Sequence, residues 1–241
     1  MNDNSPLAEV LRPASLSDYV GQDHLVGEGS VLRNAIGSGQ LPSMILWGPP
    51  GTGKTTLANI ISQTMNRPFF NLSAINSGVK DVREVIEKAK GQGLFSNKGK
   101  PILFIDEIHR FSKSQRDSLL GAVEKGLVTL IGATTENPSF EVISALLSRC
   151  QVYILKSLER EQLEALLEKG RIKLEEQLNV KISIQENEAM LRFSGGDARK
   201  LLNNLELIVR SSDSEKVIVT NSAVEQCLQN SLSTYDKGGE N

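Results

Sequence analysis

The chain has 241 residues, 39% of them hydrophobic and 23% charged, with a net charge of −2 at pH 7, the composition of a globular protein with room for buried cores. That balance excludes a protein basic all over, so nucleic-acid binding would need a local patch or the combined patches of several subunits. Apolar runs such as "ILFI" and "VTLIGA" are strand-sized rather than membrane-spanning, and Cys150, Cys227, His24 and His109 form neither a disulfide framework nor a metal cluster.

In chain order, "MNDNSPLAEV" is acidic and lacks an apolar signal core, so a cytoplasmic chain with reduced thiols and no membrane contact is expected. Residues 1–43 carry turn signals around short polar helices. From "MILW" (44–47) strands and helices alternate. A Gly/Pro loop leads into an apolar-periodic helix from about Thr55 to Met65, and "FFNL" (69–72) reads as a strand. A helix over 79–90 precedes the strand "ILFI" (102–105). A helix over "SQRDSLLGAVEKG" precedes the strand "VTLIGA" (128–133). "SALLSRC" reads as a short helical piece turning at Arg149 and Cys150 into the β-rich "QVYIL". Helices interleaved with apolar strands predict an α/β fold with a parallel sheet covered on both faces.

After Ser157 the pattern becomes helical. Leu163, Leu166, Leu167, Leu174 and Leu178 form one stripe, and Leu201, Leu202, Leu205, Ile208 and Val209 form another. Only "VKISI" and "KVIVT" look extended. The expected division is an N-terminal segment 1–43, a core 44–157, a small helical domain 158–232 and a frayed polar tail 233–241.

Four stretches carry chemistry. "GPPGTGKT" (48–55) fits G-x-x-x-x-G-K-[ST] between a predicted strand and a predicted helix, the context that confirms a phosphate-binding loop. Gly48, Pro49, Pro50, Gly51, Thr52 and Gly53 let backbone N–H groups converge on phosphate oxygens at a helix N-terminus, with Thr55 and Thr56 following in its first turn. Lys54 would bridge the β- and γ-phosphates of ATP, and the Thr55 hydroxyl would ligate Mg²⁺. "ILFIDE" (102–107) runs four buried residues into two carboxylates at the strand end where such sheets bind ligands. Asp106 is placed to hold Mg²⁺ and Glu107 to deprotonate the attacking water, which favours hydrolysis over binding alone. In "IGATTENPSF", Thr134 or Thr135 could hold that water or read the γ-phosphate. In "SGGDARKLLNN", Asp197 reads as an N-cap, and Arg199 stands in the first turn against the helix dipole, a placement that suggests a phosphate partner.

"RPASLSDYVGQDHLVG", "SMILWGPPGTGKTTLA", "ILFIDEIHRFSKSQRD", "TLIGATTENPSFEVISALLSRC" and "GDARKLLN" together resemble the clamp-loader-like AAA+ ATPases, and among them the replication-associated recombination family. The likeness runs over roughly residues 7–237. It implies a five-stranded P-loop core with a helical lid and an ATPase stimulated by DNA. Its work would be replication-fork maintenance, recombination and repair, by remodelling single-stranded, gapped or forked DNA. It places the first sensor on Thr135, the second on Arg199, an arginine finger acting in a neighbouring subunit on Arg149, and adenine contacts on Arg12, Tyr19 and Val20. Ser73 falls near a polar residue that restrains the catalytic glutamate in this class. A homo-oligomer and a single-stranded-DNA-binding protein are the implied partners. Members of the family continue past a "YDKGG" segment into a helical oligomerisation region, so this chain resembles the family's core and lid alone. A clamp-loader subunit, a Holliday-junction branch-migration motor and a non-catalytic nucleotide-switched adaptor are the other readings of the same motifs.

Overall fold

In the computed structural model, residues 5–74, 77–95, 99–212 and 214–237 are described. The chain divides into two compact units, one of residues 13–156 and one combining the N-terminal residues up to Arg12 with those from Ser157 onward.

The larger unit is built on five parallel strands, β1 (Met44–Trp47), β2 (Phe69–Ser73), β3 (Ile102–Asp106), β4 (Thr129–Thr134) and β5 (Gln151–Ile154), in the order β2-β3-β4-β1-β5. Registers of Trp47 with Thr134 and of Ser73 with Asp106 bring the C-terminal strand ends to one edge of the sheet. Alternation along each strand sends neighbouring side chains to opposite faces. Met44, Leu46, Phe104 and Ile131 pack with Leu57, Ile60 and Ile61 of the helix Lys54–Thr64. Ile45, Leu103, Ile105 and Leu130 pack on the other side with Val82, Ile86 and Leu119. Each such burial contributes about 1.5–3 kcal/mol, which is why the central strands are apolar on both faces.

Residues 13–43 of this unit are pinned to the sheet's edge by polar contacts. The fully buried Gln22 amide donates to the Lys156 carbonyl at 2.8 Å and accepts the Lys156 N–H at 3.0 Å, and His24 Nε2 lies 2.8 Å from the Ile154 carbonyl. The helix Lys113–Glu124 opens with a capping box in which Ser112 and Gln115 satisfy each other's backbone N–H.

The second unit contains the helices Arg160–Leu178, Glu188–Ser194, Ala198–Arg210 and Asn221–Lys237. "VKISI" and "KVIVT" become two short parallel strands, β6 (Lys181–Ile184) and β7 (Lys216–Val219). Both leucine stripes meet in its core, which also takes Leu7. The Leu7 N–H donates to Glu206 at 2.8 Å. The structure thus divides the segment 1–43, since residues up to Arg12 cluster with the helical unit. It also carries the last helix through Lys237, into the stretch the sequence reading gave to a frayed tail, while residues 238–241 lie outside the described part. Asp197 is the N-cap of the helix Ala198–Arg210, accepting the Lys200 N–H at 2.9 Å. Asp197→Ala is expected to lower stability by about 0.5–2 kcal/mol, read as a shift in the urea midpoint with an unchanged slope.

Candidate active site

The phosphate loop follows from three glycines. Gly48 ends β1, and a Cβ there would lie 2.4 Å from the Leu155 carbonyl oxygen, so the loop's entry has no room for a side chain. Gly51 and Gly53 have φ of 70° and 91°, left-handed values that only glycine adopts without strain. A Cβ on Gly53 would also lie 2.8 Å from the Tyr19 ring. Tyr19 is 6% exposed and donates from its hydroxyl to the Thr52 carbonyl at 3.1 Å, and burial raises its pKa well above the ordinary phenol value. It stays neutral and braces the loop from beneath. Thr52 Oγ1 donates to the Pro49 carbonyl at 2.9 Å.

The helix Lys54–Thr64 begins immediately after Gly53 with no side-chain cap. Its first-turn N–H groups therefore lack the acceptor that a Ser or Asp cap would supply, and an anion suits that end. Lys54 is 8% exposed and donates to the Gly48 and Pro49 carbonyls at 2.7 and 2.8 Å, so its ammonium stands inside the loop. A loop with glycine at 48, 51 and 53, an uncapped helix start and an inward lysine fit a nucleotide's phosphates.

At the end of β3, Asp106 is half-buried and Glu107 turns out of the strand with φ 52° and ψ 50°, an unusual conformation for a residue with a side chain. A 3₁₀ turn, Ile108–Arg110, follows, anchored by the buried Ile108 and Phe111. Glu107 Oε2 accepts from Thr135 Oγ1 at 3.3 Å and lies 3.2 Å from His109 Nδ1. Thr134, fully buried, stands 2.9 Å from His109 Nδ1 and closes a turn with the backbone of Glu136. Of the two threonines, Thr135 is the one that reaches the carboxylate.

Arg149 is exposed. Its Nη2 meets Glu124 Oε1 at 2.7 Å, and its Nη1 donates to the Ala145 carbonyl at 2.6 Å. An arginine with no acid near it in sequence therefore has an acid partner in space, at the end of the helix Lys113–Glu124. Beside it, burial pushes the Cys150 thiol up to about 11, so it remains a thiol at neutral pH.

The family model described as "ATPase family associated with various cellular activities (AAA)" matches residues 44–158, and the one described as "AAA C-terminal domain" matches 175–241. "Replication-associated recombination protein A" of Haemophilus influenzae is 46% identical over 99% of the chain, and its Escherichia coli K12 counterpart 43% over the same share. The chain belongs to the AAA ATPases, and its likeness is to their replication-associated recombination branch. "ATPase WRNIP1" of Dictyostelium discoideum is 40% identical over 98% of the chain. The chain spans about half the length of the two bacterial relatives (54% of each) and 29% of the Dictyostelium protein. Among solved structures, the Thermotoga maritima RuvB Holliday junction branch migration motor superposes with a TM-score of 0.71 at 25% identity. That match covers 91% of this chain and 72% of RuvB. Residues 44–158 are thus an AAA core, the stretch that carries the phosphate loop and the acids at the end of β3.

Within the AAA core, the fold brings together Gly48–Thr56, Tyr19, Asp106, Glu107 and Thr135, all at or beside the strand ends. Val20 is exposed, next to Tyr19. Arg12 and Arg199 belong to the other unit, where Arg12 pairs with Glu9 at 2.7 Å and Arg199 is an exposed first-turn residue. Two residues at the site were not singled out by sequence reasoning. His109 was signalled only by its spacing after the acids in "DEIH". Glu124 had no local signal, because helix packing alone brings it to Arg149.

Proposed function

We propose that this chain is the catalytic core of a DNA-dependent ATPase that maintains replication forks and serves recombination and repair by remodelling DNA ends, gaps or junctions. The observation that carries the proposal is identity of 43–46%, over 99% of the chain, to proteins named for replication-associated recombination. In this reading the γ-phosphate draws the Lys54 ammonium from the loop carbonyls, because charge-assisted bonds are stronger than those to neutral oxygen. Thr55 and Asp106 hold Mg²⁺, which when bound neutralises charge on the phosphate oxygens. Glu107 takes the proton of the attacking water while Thr135 fixes its carboxylate. The family likeness gives Tyr19, Val20 and Arg12 the role of contacting the base and Arg199 that of a second cation for the phosphates.

Arg149 acts on the nucleotide of a neighbouring copy in a homo-oligomer. Its pair with Glu124 is no obstacle, since exposed ion pairs contribute about 0.2–1 kcal/mol, well below the roughly 4–7 kcal/mol of barrier that a 10³- to 10⁵-fold arginine finger removes. The exposed Lys80, Arg83, Arg110 and Lys113 are available for DNA phosphates, while the neighbouring Arg116 is occupied by the Phe111 carbonyl at 2.7 Å. Lys98 lies outside the described residues. A single-stranded-DNA-binding protein is the partner this role implies.

Turnover is expected to rise with single-stranded or gapped DNA and to lose that stimulation steeply as salt goes from about 50 to 200 mM. A steady-state ATPase assay with and without DNA checks this, and no response to any DNA in a longer form of the protein would sink the proposal. Translocation through a Holliday junction, or loading of a sliding clamp, would replace it with the motor or clamp-loader reading.

A further inference from the structure

We infer that His109 is the positioning residue of the catalytic carboxylate: its Nδ1–H holds Glu107 Oε2 so that Oε1 is presented to the attacking water. This rests on the reading of Glu107 as the general base and assigns that base its orienting partner. The hydrogen-bond inventory sets the direction. A carboxylate only accepts, so a nitrogen 3.2 Å from Oε2 meets it favourably as an N–H. The same conclusion comes from Thr134. Its hydroxyl donates its one proton to the Glu136 carbonyl at 3.2 Å and accepts the Glu136 N–H at 3.0 Å, which leaves a lone pair for His109 Nδ1–H at 2.9 Å. His109 therefore donates to a fully buried hydroxyl, and the same nitrogen stands 3.2 Å from Glu107 Oε2, a close electrostatic contact.

The competing view is that His109 merely satisfies the buried threonine. Thr134 is already satisfied by the Glu136 backbone, so its burial does not require an imidazole. What the imidazole adds is the contact with Glu107, whose side chain leaves β3 in a left-handed conformation and needs external anchors to keep one orientation. Both anchors, His109 and Thr135, fall on Oε2, and among the described residues none falls on Oε1. The ring itself is held, with its side chain only 11% exposed, so it carries its orientation to Glu107. Contacts of 3.2 and 3.3 Å are long, as catalytic hydrogen bonds are before substrate tightens them.

The test uses the full chain assembled with DNA, three substitutions of His109, and Glu107→Gln alone and as a background. His109→Ala is expected to lower kcat about 10²-fold, the loss a misplaced catalytic group produces, with KM and the affinity for a fluorescent ATP analogue unchanged. His109→Asn should recover most of the rate, because the side-chain amide puts an N–H where Nδ1 stands. His109→Gln, whose amide reaches instead toward Nε2, should not. In a Glu107→Gln background, His109→Ala should cost no further turnover, since residues acting as one unit are non-additive. Wild-type kcat in His109→Ala, or equal rates for Asn and Gln, overturns the inference, and that comparison stands even if His109→Ala melts below the assay temperature. Wild-type hydrolysis by Glu107→Gln itself would instead overturn the assignment of the base.

Discussion

Arg149→Ala is expected to bind ATP with near wild-type affinity and to lose about 10³- to 10⁵-fold of its turnover in the assembled protein. The residue stands at an exposed corner between the helical turn Ser144–Leu147 and β5. Its backbone is satisfied locally, since the Arg149 N–H bonds to the Leu146 carbonyl at 3.1 Å. Truncating the side chain removes only the exposed pair with Glu124 and the bonds to Ala145 and Ser148, so the melting temperature should hardly move. A large kinetic loss without a stability loss is what distinguishes a guanidinium acting on a neighbour's phosphate from one that props up its own turn. Mixing supplies the second arm. Lys54→Ala lacks the phosphate-binding lysine but keeps its finger, and Arg149→Ala keeps its loop, so mixed oligomers contain interfaces with one intact copy of each. Partial recovery of ATPase on mixing supports action in trans. Turnover that stays at the level of the two separate variants at every ratio would show that Arg149 does not act across an interface.

Glu107→Gln should retain nucleotide binding and lose about 10²- to 10⁴-fold in hydrolysis, the range over which a positioned general base contributes. The substitution is nearly isosteric, and its amide oxygen can still accept from Thr135 and His109, as Oε2 does at 3.3 and 3.2 Å. Only the capacity to accept a proton from water is removed. Equilibrium titration with a fluorescent ATP analogue and single-turnover hydrolysis separate the two effects. Hydrolysis within a few-fold of wild type would remove Glu107 from the chemistry. Full function in cells with hydrolysis abolished would favour the nucleotide-switched adaptor.

The candidate site was legible in the sequence wherever chemistry is written within a few consecutive residues. "GPPGTGKT" specifies its own backbone, because the left-handed Gly51 and Gly53 and the helix starting at Lys54 are local consequences of residue type. "ILFIDE" specifies a buried strand running into acids for the same reason. Tyr19 shows the limit. The resemblance places it near adenine, and the fold adds contacts that no local signal gives, its hydroxyl on Thr52 and its ring against Gly53. A tyrosine 33 residues from its hydrogen-bond partner cannot announce that contact in its neighbours. The reading of 1–43 as one segment met the same limit, since Leu7 is drawn into the helical unit by a core made of residues more than 150 positions away.

Amino-acid order alone therefore settled the alternation of strands and helices, the phosphate loop, the acids at the end of β3 and the helical character after Ser157. These follow from periodicity and local backbone preference, which act over a few residues. Tertiary structure alone decided the strand order β2-β3-β4-β1-β5, the choice of Thr135 over Thr134 beside Glu107, the hold of His109 on that carboxylate and the pairing of Arg149 with Glu124. Except for His109, each joins residues 25 or more positions apart. Such contacts form because burial of apolar faces brings their elements together, and no local preference of either partner encodes them. His109 is near Glu107 in sequence, yet its role depends on the buried Thr134 of another strand, which only the sheet's register could place there.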